Sequence, residues 1–145
     1  MSAHTECTHG GSGPDQHRCQ RSEAFYTSAF GLQVGRRLGP AALELNGAGV
    51  AIYLLETKQG SPATPDHEPR RFSRHWTPVH LDFVVDSLEA GVAAAVAAGA
   101  AQETEVATHD WGKIARFADP FGNGFCIIEF SNRGYDALVT ACGRS

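Results

Sequence analysis

Two strands of this chain carry polar side chains among apolar ones, and those side chains are of the kinds that hold metal ions or move protons. In Gly124-Phe125-Cys126-Ile127-Ile128-Glu129-Phe130, alternation puts Cys126, Ile128 and Phe130 on one face and Phe125, Ile127 and Glu129 on the other, so a carboxylate continues an apolar row. Such a carboxylate is costly to bury unless it is paired or bound to a metal. In Val79–Val85 the same rule separates Leu81, Phe83 and Val85 from His80, Asp82 and Val84. With the apolar row packed under a helix, His80 and Asp82 face a cavity or barrel interior that Glu129 can share. Asp82 is then placed to orient the His80 ring.

The elements that must position these groups are legible around them. Asp119-Pro120-Phe121-Gly122-Asn123-Gly124 supplies a turn between antiparallel strands, with Pro fixing φ and Gly and Asn tolerating positive φ. Asp86–Ala100 reads as a helix with Asp86 or Ser87 as N-cap and Gly99 as stop. Its Leu88, Val92 and Val96 are expected to lie on Leu81, Phe83, Cys126 and Ile128. Residues 101–107 and 112–118 complete the order strand, helix, strand, strand, strand. The first half shows the same order more weakly, with a helix over Glu23–Leu32 ending at Gly31 and two or three short strands in 33–56, so the chain reads as a structural repeat.

The 145 residues suit a single domain able to bury a core without disulfides. A net charge of −4 disfavours broad nucleic-acid or anionic-membrane binding. No run is apolar enough to span a bilayer, and the first twenty residues lack a signal-peptide core. Cys7, Cys19, Cys126 and Cys142 are widely spaced with no CxxC, which reads as free thiols in a reducing, cytoplasmic setting.

Phe25-Tyr26 followed by Phe30-Gly31-Leu32, the strand with His80 ahead of Asp86, and Asp119-Pro120-Phe121-Gly122-Asn123 ahead of Glu129 together resemble the vicinal oxygen chelate superfamily, over roughly residues 20–132. That superfamily includes glyoxalase I, extradiol dioxygenases, fosfomycin-resistance enzymes and bleomycin-binding proteins. The resemblance implies an α+β fold of two βαβββ modules forming a curved, barrel-like mixed sheet. Module one covers about 5–57, a Pro-rich connector 57–78 and module two 79–131, followed by a short C-terminal tail. It also implies a homodimer, with modules of two chains sometimes completing each pocket.

The resemblance further implies a divalent metal held from the first and last strands of each module. Module two then supplies His80 and Glu129. In module one, Leu54 stands where the glyoxalase pattern has a carboxylate, and Glu56 is the substitute on the same face, against a plain reading as a solvated glutamate. Residues 1–14 are Gly-rich and poor in β-branched aliphatics, so they read as a loop or tail. His9 is the residue there nearest the expected ligand position, against a plain reading as an exposed histidine. His9, His80 and Glu129 would suit Fe(II) and dioxygenase chemistry. Adding Glu56 would suit Zn, Ni, Mn or Co as a Lewis acid, with Glu129 or Glu56 as the base. With neither, His80 and Glu129 form a hydrogen-bonded pair in a metal-free pocket.

The walls of that pocket are read as Ile52, Leu54, Phe125 and Ile127. Trp76, with Phe72 and the arginines of the connector, is either a lid over a ligand or part of a solvated link. Trp111 has the same double reading, and Arg116 enters the pocket or reaches solvent. The expected function is that of a metal-dependent glyoxalase- or dioxygenase-like enzyme acting on a small molecule with adjacent oxygens. Its rival is a non-catalytic, bleomycin-resistance-type protein that sequesters a small molecule without metal.

Overall fold

Each half of the chain folds as a strand, a helix and a run of strands, in a computed structural model that describes residues 2–9, 17–62, 64, 68–77 and 79–138. Module one comprises β1 (Ser2–His9), α1 (His17–Phe30), β2 (Gln33–Arg37), β3 (Ala42–Asn46) and β4 (Ala51–Lys58). Module two comprises β5 (Leu81–Val84), α2 (Leu88–Ala97), β6 (Ala101–Gln102), β7 (Ala107–His109), β8 (Gly112–Ala118) and β9 (Gly124–Phe130), with a short 3-10 turn at Gly134–Ala137. The stretch 101–107, read as one strand, is broken here into β6 and the start of β7.

The sheets are mixed and run in the order β1-β4-β3-β2 and β5-β9-β8-β6, with β7 also paired to β8. In each sheet the module's first and last strands are parallel neighbours, β1 with β4 and β5 with β9. The two sheets are curved and do not close on one another. Residues 2–9, expected as a loop, are instead a strand in parallel register with β4, from Ser2 opposite Ala51 to His9 opposite Lys58. Ladder pairing with an established neighbour outweighs the weak strand propensity of the segment.

Helix α2 starts and stops where its sequence dictates. Ser87 is the N-cap and its hydroxyl accepts from the Ala90 N–H. At the other end Gly99 adopts φ 104°, and the N–H groups of Ala100 and Gly99 bond back to the carbonyls of Ala95 and Val96, a Schellman closure.

The core lies between the sheets, and each helix buries one side in it, Phe25, Tyr26 and Ala29 from α1 and Leu88 and Ala95 from α2. Leu43, Leu45, Ile52 and Leu54 of module one are buried in the same cluster as Phe25, Tyr26, Phe83, Leu88, Ala95, Phe117, Phe125 and Ile127. The modules are knitted by aromatic rings: Phe30 of α1 stacks on Phe83 of β5 at 3.7 Å between centroids and meets Phe125 of β9 edge-on at 5.5 Å. The Tyr26 hydroxyl donates to Asp119 Oδ2 at 2.8 Å, so α1 also reaches the turn before β9. Asp119 Oδ1 accepts the N–H groups of Phe121 and Asn123, each at 2.9 Å, which closes that turn.

This packing decides which face of each sheet is open. Ile52 and Leu54, expected as pocket walls, are 2% and 0% exposed in the inter-sheet core. The register of β5 on β9 places Leu81 beside Phe125 and Phe83 beside Ile127, so the Phe125–Ile127–Glu129 row faces inward and Cys126 and Ile128 face outward. That is the reverse of the arrangement expected for β9. Both rows are apolar, and only register distinguishes them.

Candidate metal and ligand site

On the open face of module two, Asp82 of β5, Cys126 of β9 and Arg116 of β8 stand side by side across three neighbouring strands. His80 precedes Asp82 by two residues and so joins the same face. The His80 Nε2 atom lies 3.3 Å from Asp82 Oδ1 and 3.6 Å from Cys126 Sγ. One ligand atom from each of the three residues falls within 4.8 Å of the others. A nucleophile–base–orienter relay would use the two ring nitrogens for different partners. Here one nitrogen faces both, which is the convergence a shared cation requires.

The thiol of Cys126 is pushed up to about 12, first by burial and then by the charge and hydrogen bond of Asp82, with Arg116 opposing. Alone, the thiol is therefore protonated and poorly nucleophilic at neutral pH. A bound cation reverses that preference, because a coordinating thiol is deprotonated. Imidazole, carboxylate and thiolate are donors that a zinc-type ion accepts, so His80, Asp82 and Cys126 are the residues that could hold one.

These groups line a cavity of about 420 Å³ together with Trp76, Thr77, Ile114 and Arg116. Trp76 meets the His80 ring edge-on at 5.0 Å between centroids. Its own place is set by Glu103, which accepts the indole N–H at 3.1 Å and forms a two-bond ion pair with Arg74. The Arg74 guanidinium lies 4.9 Å over the indole. Hydrogen bonding from Arg74, more than its charge, holds the Glu103 carboxyl below its usual range. The indole fits because residue 124 is glycine: a Cβ there would come 2.8 Å from a ring carbon. The end of the connector is thus fastened to module two, through a His75–Asn123 bridge as well.

The other expected site residues lie elsewhere. Glu129 is on the inward face, where Oε2 accepts the Leu88 N–H at 2.6 Å and Oε1 accepts from Lys113 Nζ at 2.8 Å. The Leu88 hydrogen bond first, then Lys113, lowers its pKa. The carboxylate therefore caps the N-terminus of α2, a position favourable to negative charge, and does not share a cavity with His80. Glu56 continues the row of Ile52 and Leu54 in module one, half-buried. His9 falls opposite Lys58 at the end of β1, and its side chain lies outside what the structure describes. Trp111 stacks on His109 and packs with Phe130 and Tyr135, and is not among the residues that line the cavity. Cys126 is the member that sequence reasoning assigned to the core. Pairing Leu81 and Phe83 with the bulkier Phe125–Ile127 row would have turned it toward His80.

Paired βαβββ modules with an open, polar-lined sheet face define the vicinal oxygen chelate superfamily. The chain matches the model of the glyoxalase-like domain over residues 14–128 and belongs to that family. A search of curated proteins found no match. Among solved structures, the chain is similar to a glyoxalase/bleomycin resistance protein/dioxygenase family enzyme from Burkholderia phytofirmans, at 20% identity and TM-score 0.58, covering 89% of this chain and 98% of that one. It is similar to TioX from a Micromonospora species at 14% identity and TM-score 0.63, covering 90% and 99%. It is also similar to a mutant fosfomycin resistance protein, FosX, from Listeria monocytogenes, in complex with Mn(II) and a dihydroxypropylphosphonic acid, at 14% identity and TM-score 0.63, covering 91% and 90%. At these identities the likeness is one of fold.

Proposed function

We propose that this protein is a metal-dependent, glyoxalase-like enzyme acting on a small molecule with adjacent oxygens, its metal held by His80, Asp82 and Cys126. The observation that carries the reading is the convergence of three unlike donor atoms within 4.8 Å on an open sheet face. Metal dependence occurs in the superfamily, as the Mn(II) complex of the Listeria protein illustrates. One histidine with a thiolate suits Lewis-acid chemistry better than the two-histidine set of oxygen-activating iron. When bound, the ion would polarise a substrate oxygen. The chain's own residues do the rest: Trp76 shields one side from water, and Ile114 gives the cavity an apolar patch.

The same reading includes a homodimer of single-domain chains. The core and the buried sides of both helices lie between the sheets, so module one of a chain does not cover the cavity of its own module two. Among the described residues strands β1 and β5 are each paired on one side only, and Val79 and Val84 at β5 are 86% and 58% exposed. A second copy added at these edges would extend the sheets and roof the cavity. The free thiol fits a cytoplasmic location.

The rival reading, a metal-free binding protein, is favoured by the partly exposed Trp76 ring, a ready stacking surface. Elemental analysis of untagged protein from metal-supplemented growth separates the two. The enzyme reading expects about one equivalent of a zinc-type metal, lost in H80A and C126S but kept in E129Q. Metal-free wild type, or full metal in C126S, would sink it.

A further inference from the structure

We propose that Arg116 forms an oxyanion subsite beside the His80–Asp82–Cys126 cluster, so that the ligand of this cavity is a small molecule carrying a carboxylate, phosphate or phosphonate group. The proposal deepens the enzyme reading by naming one end of the substrate, and rests on that reading only for where the other end lies.

The cations of this molecule are largely committed. Arg36 pairs with Glu44, Arg37 with Glu23, Arg71 with Glu68, Arg74 with Glu103 and Lys113 with Glu129. Arg116 lines the cavity, and among the described residues its guanidinium meets no carboxylate and no carbonyl. Its backbone N–H bonds the Thr104 hydroxyl at 3.0 Å, which fixes the strand without occupying the side chain. Five N–H donors in a planar fork, matched to an oxyanion, are therefore unspent.

The surroundings favour an anion arriving there. Among the described residues Asp82 is the one carboxylate lining the cavity, and it stands two strands away from Arg116, about 10 Å between backbones. Trp76 and Ile114 keep part of the cavity apolar, which strengthens a charge-assisted bond. Asp82, Cys126 and Arg116 lie in one row, so a ligand spanning it meets the guanidinium at one end and the three donor atoms at the other.

The test uses W111F protein, in which Trp76 is the remaining tryptophan and reports on the cavity. Inorganic phosphate is titrated at fixed ionic strength, with chelator-treated and with zinc-supplemented protein. Saturable change in Trp76 emission is expected, weakened about tenfold or more by R116A, partly restored by R116K, and tightened several-fold in the chelated state by D82N, which removes the opposing charge. The chelated titration reads the subsite without metal, so a protein that never binds metal would sink the enzyme reading and leave the subsite standing. Equal affinity in R116A and its parent, or no saturable binding in either metal state, would overturn the subsite.

Discussion

The two open sheet faces carry polar clusters of opposite character. In module one, Glu44 is 5% exposed, yet its carboxylate accepts from Arg36 through two nitrogens and from the Tyr53 hydroxyl at 2.7 Å. Those bonds, from Arg36 first, hold it at about 2. In module two, His80, Asp82 and Cys126 crowd one point, a protonated thiol sits among them, and Arg116 is uncommitted. One architecture used twice therefore carries one cluster that satisfies itself and one that does not. A satisfied network rigidifies the fold. The unsatisfied one is where perturbed protonation and an accessible cavity coincide, and a ligand completes it.

The largest expected effect tests whether the modules are separate enough to compare. Leu54→Ala empties core space in module one and should cost about 2–5 kcal/mol. Both tryptophans belong to module two or its approach. If the core is shared, their emission and the far-UV circular dichroism should report one coincident, shifted transition; an unshifted tryptophan transition would show that the modules melt apart. A smaller effect comes from two glycines that clear the two faces. A Cβ at Gly35 would lie 2.2 Å from the Asn46 amide and 2.7 Å from Glu44 Oε1, against 2.8 Å from the Trp76 ring at Gly124. Gly35→Ala should cost about 1–3 kcal/mol without changing metal content. Gly124→Ala should cost a comparable amount, about 1–3 kcal/mol, because the pinned indole must move as a whole, while red-shifting Trp76 emission and altering ligand affinity. The reverse assignment of these two phenotypes would undo the comparison.

The smallest effect is confined to acid. The Glu44 carboxyl is lowered from 4.5 to about 2 in the folded protein, so its contribution is complete above about pH 4.5 and is lost as pH falls toward 2. Thermal melts of Glu44→Gln should start lower at neutral pH and fall less steeply across that window. Parallel acid limbs for variant and wild type would place the acid sensitivity elsewhere, at Glu103 or Glu129, whose carboxyls are shifted the same way.

What could be read in advance follows from how local each determinant is. The Asp119–Asn123 turn, the Ser87 cap and the Gly99 stop are short-range chemistry and stand where the residues place them. The outward face of His80 and Asp82 follows from alternation, because Leu81 and Phe83 leave no doubt which row is apolar. The β9 rows are Phe-Ile and Cys-Ile, so alternation cannot say which belongs inside; pairing with β5 decides, and with it whether Glu129 or Cys126 joins His80. Strand β1 rests on a partner some fifty positions away, and Trp76 on Glu103, 27 positions on. Neither leaves a trace in local composition.

The bond from Tyr26 to Asp119 crosses 93 positions of sequence. The N–H groups that close the turn on Asp119 are near neighbours and can form as soon as the chain bends there, whereas the hydroxyl must wait for a long loop to close. Tyr26→Phe is expected to remove about 1–2 kcal/mol and to appear mainly as an unfolding rate raised roughly 5–30-fold, with refolding little changed. The residence time of the strand that presents Cys126 is thus governed from the opposite half of the molecule, by a helix that touches none of the donor atoms.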